Sequence, residues 1–145
     1  MNFNGFFFDL DGTLINSMDY HYNSWNKILN NEFNYSLNKE KFMITEGTKL
    51  NFLISDFLSE KNIKILKKKL NDLIEMKDED YRNNNKASFY PNSIKFIKFL
   101  KSKKTKISLV TAGSKKRIKR TLSKSFLDLF DCIVTGNDCK LGKPD

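Results

Sequence analysis

The segment Phe6-Phe7-Phe8-Asp9-Leu10-Asp11-Gly12-Thr13-Leu14 constrains this chain more than any other. Residues 3–9 read as a short, apolar, buried strand. It runs straight into two carboxylates two residues apart. Residues i and i+2 of a strand point to the same side. Asp9 and Asp11 are therefore expected to emerge together at the strand's carboxyl end, where open α/β sheets bind ligands. Gly12 lets the backbone turn sharply there. Such a pair suits phosphoryl transfer: one carboxylate attacks phosphorus, and the other handles the proton on the leaving or attacking oxygen.

A chain of 145 residues suits one domain, or one core with a small insert. No apolar run approaches the roughly 20 residues of a membrane helix. Asn2 and Asn4 precede the first strand with no basic lead and no cleavage site, so no signal peptide is read and a cytoplasmic location is expected. Cys132 and Cys139 are then reduced thiols, and without histidine partners they make a poor zinc site. The net charge of +9 raises nucleic acid as a partner. The lysines, however, are spread over every predicted helix. The densest clusters, Lys101-Ser102-Lys103-Lys104 and Lys115-Lys116-Arg117, lack interleaved stacking aromatics. The reading is no nucleic acid and no membrane, with a basic surface that attracts anionic phosphorylated metabolites.

After the first strand, helical patterns follow without a strand to about residue 86. Met18, His21, Tyr22, Trp25, Ile28 and Leu29 lie at helical spacing between Ser17 and Asn31. Ser36 is the expected cap of a short helix holding Phe42 and Met43, and Thr48 of another holding Leu53, Ile54 and Phe57. Ser59 precedes a long helix with Ile63, Leu66, Leu70, Leu73, Ile74 and Tyr81, closed by Asn83-Asn84-Asn85. Then the pattern changes. Tyr90-Pro91-Asn92 opens a helix, Lys106 to Val110 alternates as a strand, a basic helix runs to about Ser125, and Cys132 to Thr135 is another strand. Alternating strands and helices imply a parallel sheet with right-handed crossovers.

Thr111 also stands at a strand's carboxyl end. Its hydroxyl, with the backbone amides of Ala112 and Gly113, suits phosphate oxygens; the plainer reading is a helix capped by Ser114 beside a buried threonine. Lys143, held by Pro144, suits neutralisation of charge on Asp9 and a phosphate; the plainer reading is one more surface lysine.

F-D-L-D-G-T resembles the first motif of the haloacid dehalogenase superfamily, whose members are mostly phosphatases and phosphomutases. S-L-V-T-A-G-S around Thr111 resembles its second motif, and G-K-P-D around Lys143 its third. Tyr20-His21 with Trp25, Glu46-Gly47-Thr48, Lys77 with Tyr81, and Tyr90-Pro91 look like its beta-phosphoglucomutase-like branch. The resemblance implies a Rossmann-like α/β core of residues 1–16 and 87–145, with an all-helical cap over residues 17–86. It implies that Asp9 forms an aspartyl phosphate and that Asp11 is the acid/base. Mg²⁺ is then held by the Asp9 carboxylate, the Asp11 backbone carbonyl and a phosphate oxygen. Thr111, Ala112, Gly113 and Lys143 hold the phosphate. In that branch the matching lysine, here Lys77, helps position substrate, and the matching histidine, here His21, lies at the hinge near the acid/base aspartate. For the residues alone the alternatives are a solvated Lys77 and a His21 packed near Trp25. Where the mutase has an arginine on the distal phosphate, this chain has Lys49-Leu50. A phosphatase acting on a small phosphorylated metabolite, such as a sugar phosphate, is therefore expected before a mutase. Asp11 disfavours dehalogenation, which needs no acid.

The superfamily's fourth motif, an acidic strand end that completes the Mg²⁺ shell, has no counterpart up to Asp145; Gly136-Asn137-Asp138 reads as a turn. The expectation is a fragment or truncated reading frame with impaired activity, or a non-catalytic remnant. Its Phe-rich first strand would then be an exposed edge inviting self-association.

Overall fold

The computed structural model describes residues 4–45, 50–140 and 143. In chain order the elements are β1 (Gly5–Phe8), α1 (Met18–Phe33), α2 (Lys39–Ile44), α3 (Leu50–Ser59), α4 (Lys67–Asn84), α5 (Ser93–Ser102), β2 (Lys106–Val110), α6 (Lys115–Thr121), α7 (Lys124–Leu127) and β3 (Cys132–Val134). They fall into two compact units, Met1–Ser17 with Ala87–Lys140 and Met18–Lys86 with Leu141–Asp145.

The first unit is α/β. Its sheet has the order β1-β2-β3 and is parallel throughout, with Phe8 level with Leu109 and Leu109 level with Ile133. Ile107 and Leu109 are fully buried on β2, and Ile97, Leu100, Ile118 and Phe126 from the crossover helices, with Phe130 ahead of β3, pack into the same core. Burying each such side chain is worth about 1.5–3 kcal/mol. Asp131 ties β2 at its start: its carboxylate accepts the Ile107 amide at 2.9 Å, and its own amide donates to the Ile107 carbonyl at 2.8 Å. Among the described residues β1 pairs with β2 alone. Phe6 and Phe8 stack on one face of β1, against the edge of Phe96, while Phe7 on the other face is 79% exposed.

Beyond β1 the chain folds back on itself. The Leu10 carbonyl accepts the amides of Leu14 and Ile15, and Gly12, at φ 76°, donates to the Ile15 carbonyl at 2.9 Å. That left-handed conformation costs glycine nothing. Asn16 N–H donates to Ser88 O and Tyr90 N–H to Leu14 O, so the two strands of chain at the unit's border are tied to each other.

The second unit is helical. Trp25 and Leu29 of α1, Ile54, Phe57 and Leu58 of α3, and Leu70 and Leu73 of α4 form its core, with Phe42 of α2. Two helix starts differ from expectation. Asn38, not Ser36, caps α2: Leu37 is buried with its amide on Asn26 Oδ1, which leaves Asn38 to accept the Lys41 amide at 2.8 Å. The long helix begins at Lys67, well after Ser59, which ends α3. Asn62 takes φ 58° and Ile63 N–H donates back to Leu58 O, so Ile63 closes α3 rather than opening α4. The expected cap Thr48, with Glu46, Gly47 and Lys49, lies outside the described residues. The basic helix also ends early, at Thr121, because Ser123 caps a separate turn through the Phe126 amide. No described helix is long and apolar enough to cross a membrane.

Candidate active site

Both strands of the β1–β2 pair run the same way, so Asp9, directly after β1, and Thr111, directly after β2, leave the sheet at the same end. Asp9 is half-buried. Asp11 lies outside the strand, in an isolated bridge to Ile15, so the strand's alternation does not aim it. Other groups do. Arg117 Nη2 donates to Asp11 Oδ2 at 2.6 Å and Nη1 to Oδ1 at 3.3 Å, and Ser17 Oγ donates to Oδ1 at 2.7 Å. The two side chains of the ion pair are 5% and 10% exposed.

The loop after β2 is built to bring that guanidinium in. Thr111 is buried, its amide donates to Val134 O at 3.0 Å, and its Oγ1 accepts the Gly113 amide at 3.0 Å. The Gly113 N–H, expected to face a phosphate, is thus engaged by the Thr111 hydroxyl. Ser114 Oγ accepts the Arg117 amide at 3.1 Å and starts α6. A Cβ on Gly113 would lie 2.1 Å from Arg117 Nη2, so only glycine leaves room for the guanidinium. Gly136 donates its amide to Gly113 O, and a Cβ there would stand 2.3 Å from Ala112 O. Gly136-Asn137-Asp138 is a turn. Asn137 Oδ1 accepts the Lys115 amide, and Thr135 donates its hydroxyl to Asp138, which holds that carboxyl below its ordinary range. Lys143 is a half-buried turn residue whose neighbours Gly142, Pro144 and Asp145 lie outside the described residues.

Arg117 and Ser17, the partners of Asp11, are not among the candidates that the sequence motifs single out. Arg117 was counted in a surface basic cluster, yet it is buried. One signal existed: the chain has only three arginines, Arg82, Arg117 and Arg120, among its many lysines. A planar fork of donors fits a carboxylate as an ammonium cannot.

The second unit brings His21 and Lys77 together. Lys77 Nζ is 2.9 Å from His21 Nδ1, and Lys77 is 2% exposed, which overturns the solvated alternative. Its ammonium lies 5.1 Å above the Tyr81 ring and 5.9 Å from that of Trp25, with Asp78 Oδ1 at 3.4 Å. His21 stacks flat on Tyr81, centroids 4.1 Å apart. With Lys77 as the ammonium, the contact makes His21 Nδ1 the acceptor. Trp25 Nε1 has no acceptor among the described residues.

Among the described residues no three His, Cys, Asp or Glu side chains gather as a metal cage. Asp9 and Asp11 offer carboxylate oxygens at the end of β1. This set suits a hard cation such as Mg²⁺, which is held through one or two carboxylates together with phosphate oxygens and water.

A family model described as haloacid dehalogenase-like hydrolase matches residues 6–145. No curated protein matches the chain. Among solved structures, a hydrolase from Pseudomonas syringae superposes with a TM-score of 0.83 at 24% identity, covering 98% of this chain and 65% of that one. A Bacteroides vulgatus protein provisionally assigned as a beta-phosphoglucomutase gives 0.78 at 28% identity, covering 96% and 57%. CbbY from Rhodobacter sphaeroides, crystallised with xylulose 1,5-bisphosphate, gives 0.80 at 18% identity, covering 98% and 67%. This chain therefore spans less than two thirds of the length of the first two.

Proposed function

This chain belongs to the haloacid dehalogenase-like hydrolase family, and on that premise we propose that it hydrolyses a small phosphorylated metabolite with Mg²⁺ through an aspartyl phosphate. The observation that carries the reading is the placement of Asp9 and Thr111 at one end of a parallel strand pair, beside an Asp11 whose carboxylate accepts three hydrogen bonds.

An Asp9 oxygen attacks phosphorus in line as the bond to the leaving oxygen breaks, and Asp11, entering this step protonated, gives its proton to that oxygen and becomes the carboxylate. Water then attacks the phosphorus of the aspartyl phosphate. Asp11 takes up the water's proton, and Asp9 and phosphate are released. An Asp11 that accepts from Arg117 and Ser17 is arranged for this second, proton-accepting step. The Thr111 hydroxyl, the Ala112 amide and Lys143 are assigned to the phosphate oxygens, the Gly113 amide being held by Thr111 Oγ1. Mg²⁺ bound by Asp9 and the Asp11 carbonyl would offset the negative charge of the transferring group. Residues 1–16 and 87–145 are assigned as the catalytic core in a cytoplasmic protein. Residues 17–86 are assigned as the cap that selects substrate, with His21 and Lys77 as its polar group.

A sugar phosphate is the favoured substrate class, because the CbbY crystal holds a sugar bisphosphate and the Bacteroides neighbour is assigned to a sugar phosphomutase. That 28% identity also supports a second reading, transfer to a sugar hydroxyl. A requirement for a sugar bisphosphate separates the two readings. The test is turnover of 4-nitrophenyl phosphate and a panel of sugar phosphates with Mg²⁺. Hydrolysis is expected to vanish with EDTA and in Asp9→Asn. Equal turnover in Asp9→Asn refutes the assignment of the nucleophile.

A further inference from the structure

We propose that Arg117 is the positioning residue for Asp11. The inference rests on the reading of Asp11 as acid/base and goes beyond it, by naming what fixes that carboxylate in place. Asp11 follows the strand rather than belonging to it, so its direction has to be set by side-chain partners. Arg117 supplies a two-point contact, 2.6 Å to Oδ2 and 3.3 Å to Oδ1, which fixes the plane of the carboxylate as a single contact does not.

The guanidinium is itself held. The Arg117 amide donates to Ser114 Oγ, its carbonyl accepts from Thr121 Oγ1 at 2.9 Å, and its neighbour Ile118 is anchored in the core. Nη2, Cζ and Nε lie 2.1, 2.8 and 3.0 Å from where a Gly113 Cβ would stand. The fork is therefore seated on the loop that carries Thr111. Through it the β1 end and the β2 end become one rigid arrangement, and the acid/base keeps a fixed distance from the phosphate loop.

The experiment compares Arg117→Lys, Arg117→Ala, Asp11→Asn and the double variant in the full chain, by steady-state turnover of 4-nitrophenyl phosphate with Mg²⁺. Misplacing a catalytic group by about 1 Å costs up to ~100-fold in rate, so Arg117→Ala is expected to lower kcat by roughly 10–100-fold with KM little changed. Lysine, lacking the fork, is expected to restore little of it. In the Asp11→Asn background the arginine change is expected to cost nothing further. A rise in KM with kcat kept, or a full-sized loss in both backgrounds, would overturn the proposal, since Arg117 would then act on substrate directly. A second readout needs no turnover: the Arg117 guanidinium ¹⁵N–H signals are expected to be resolved and slowly exchanging, and to average out in Asp11→Asn. If the unchanged chain turns nothing over, the phosphoryl-transfer reading fails and these signals decide the clamp; averaged signals in the unchanged chain overturn it.

Discussion

Lys77 and His21, 56 residues apart in the chain, meet with Nζ 2.9 Å from Nδ1, and both are almost wholly withdrawn from solvent. A buried ammonium is costly unless its hydrogen bonds are made. Here the imidazole and Asp78 accept hydrogen bonds, and two aromatic faces lie against the charge.

The two halves of that pair are therefore unequal. Replacing His21 by Ala strips a partner from a buried ammonium and is expected to cost about 1–3 kcal/mol. Lys77→Met keeps the stem and removes the charge, so it is expected to cost less. Urea denaturation of the two variants measures the order; a larger loss for Lys77→Met would show that the ammonium stabilises the fold in its own right. A stable Lys77→Met protein also allows the proposed substrate role to be assayed without the confusion of unfolding.

Gly113→Ala places a methyl 2.1 Å from Arg117 Nη2. The guanidinium has to move, and overpacking of this kind costs about 1–3 kcal/mol. A lower thermal midpoint is expected, together with the same loss of the resolved Arg117 signals that Asp11→Asn produces. Unchanged Arg117 signals in Gly113→Ala would contradict the packing described.

The acid limb of stability is expected to depend on Asp131. The Ile107 amide above all, with Lys106 and Lys101, holds its carboxyl at about 2. Its folded value lies below its unfolded one, near 3.9. The contribution is therefore present above about pH 4 and is lost as pH falls toward 2. Asp131→Asn retains an acceptor for the Ile107 amide, so it is expected to flatten the acid limb of a denaturation midpoint measured from pH 6 to 2. An unchanged acid limb would contradict this.

Phe7, 79% exposed on a strand with one partner among the described residues, is expected to draw copies of the chain together. Sedimentation velocity over a tenfold concentration range measures this: association is expected in the unchanged chain and is reduced in Phe7→Lys. Equal sedimentation of the two would remove β1 as the contact.

Much of the fold was legible because it depends on local pattern. The Phe-rich strand, the alternation of Ile107 and Leu109, and the helical spacing of Trp25, Ile28 and Leu29 each state their own period. What was illegible depended on partners distant in sequence. Ser36 and Asn38 are both good caps, and the choice was made by Asn26, a helix away, taking the Leu37 amide. Ile63 fits a helical register, but Asn62 adopts a left-handed conformation that ends the previous helix. In the candidate site, Asp9 and Thr111 stand out in the sequence because each directly follows an apolar strand, and Asp11 because it lies two residues beyond Asp9. Arg117 does not, because its burial depends on Gly113 having no side chain and on a carboxylate 106 residues away.

The central claim is that Asp9 forms a covalent bond to phosphorus. Quenching a turnover mixture with borohydride reduces an aspartyl phosphate to homoserine, which peptide mass mapping locates. The account predicts homoserine at position 9, dependent on substrate and Mg²⁺ and absent when either is withheld. Turnover with Asp9 recovered wholly as aspartate, or homoserine at Asp11 instead, would contradict it.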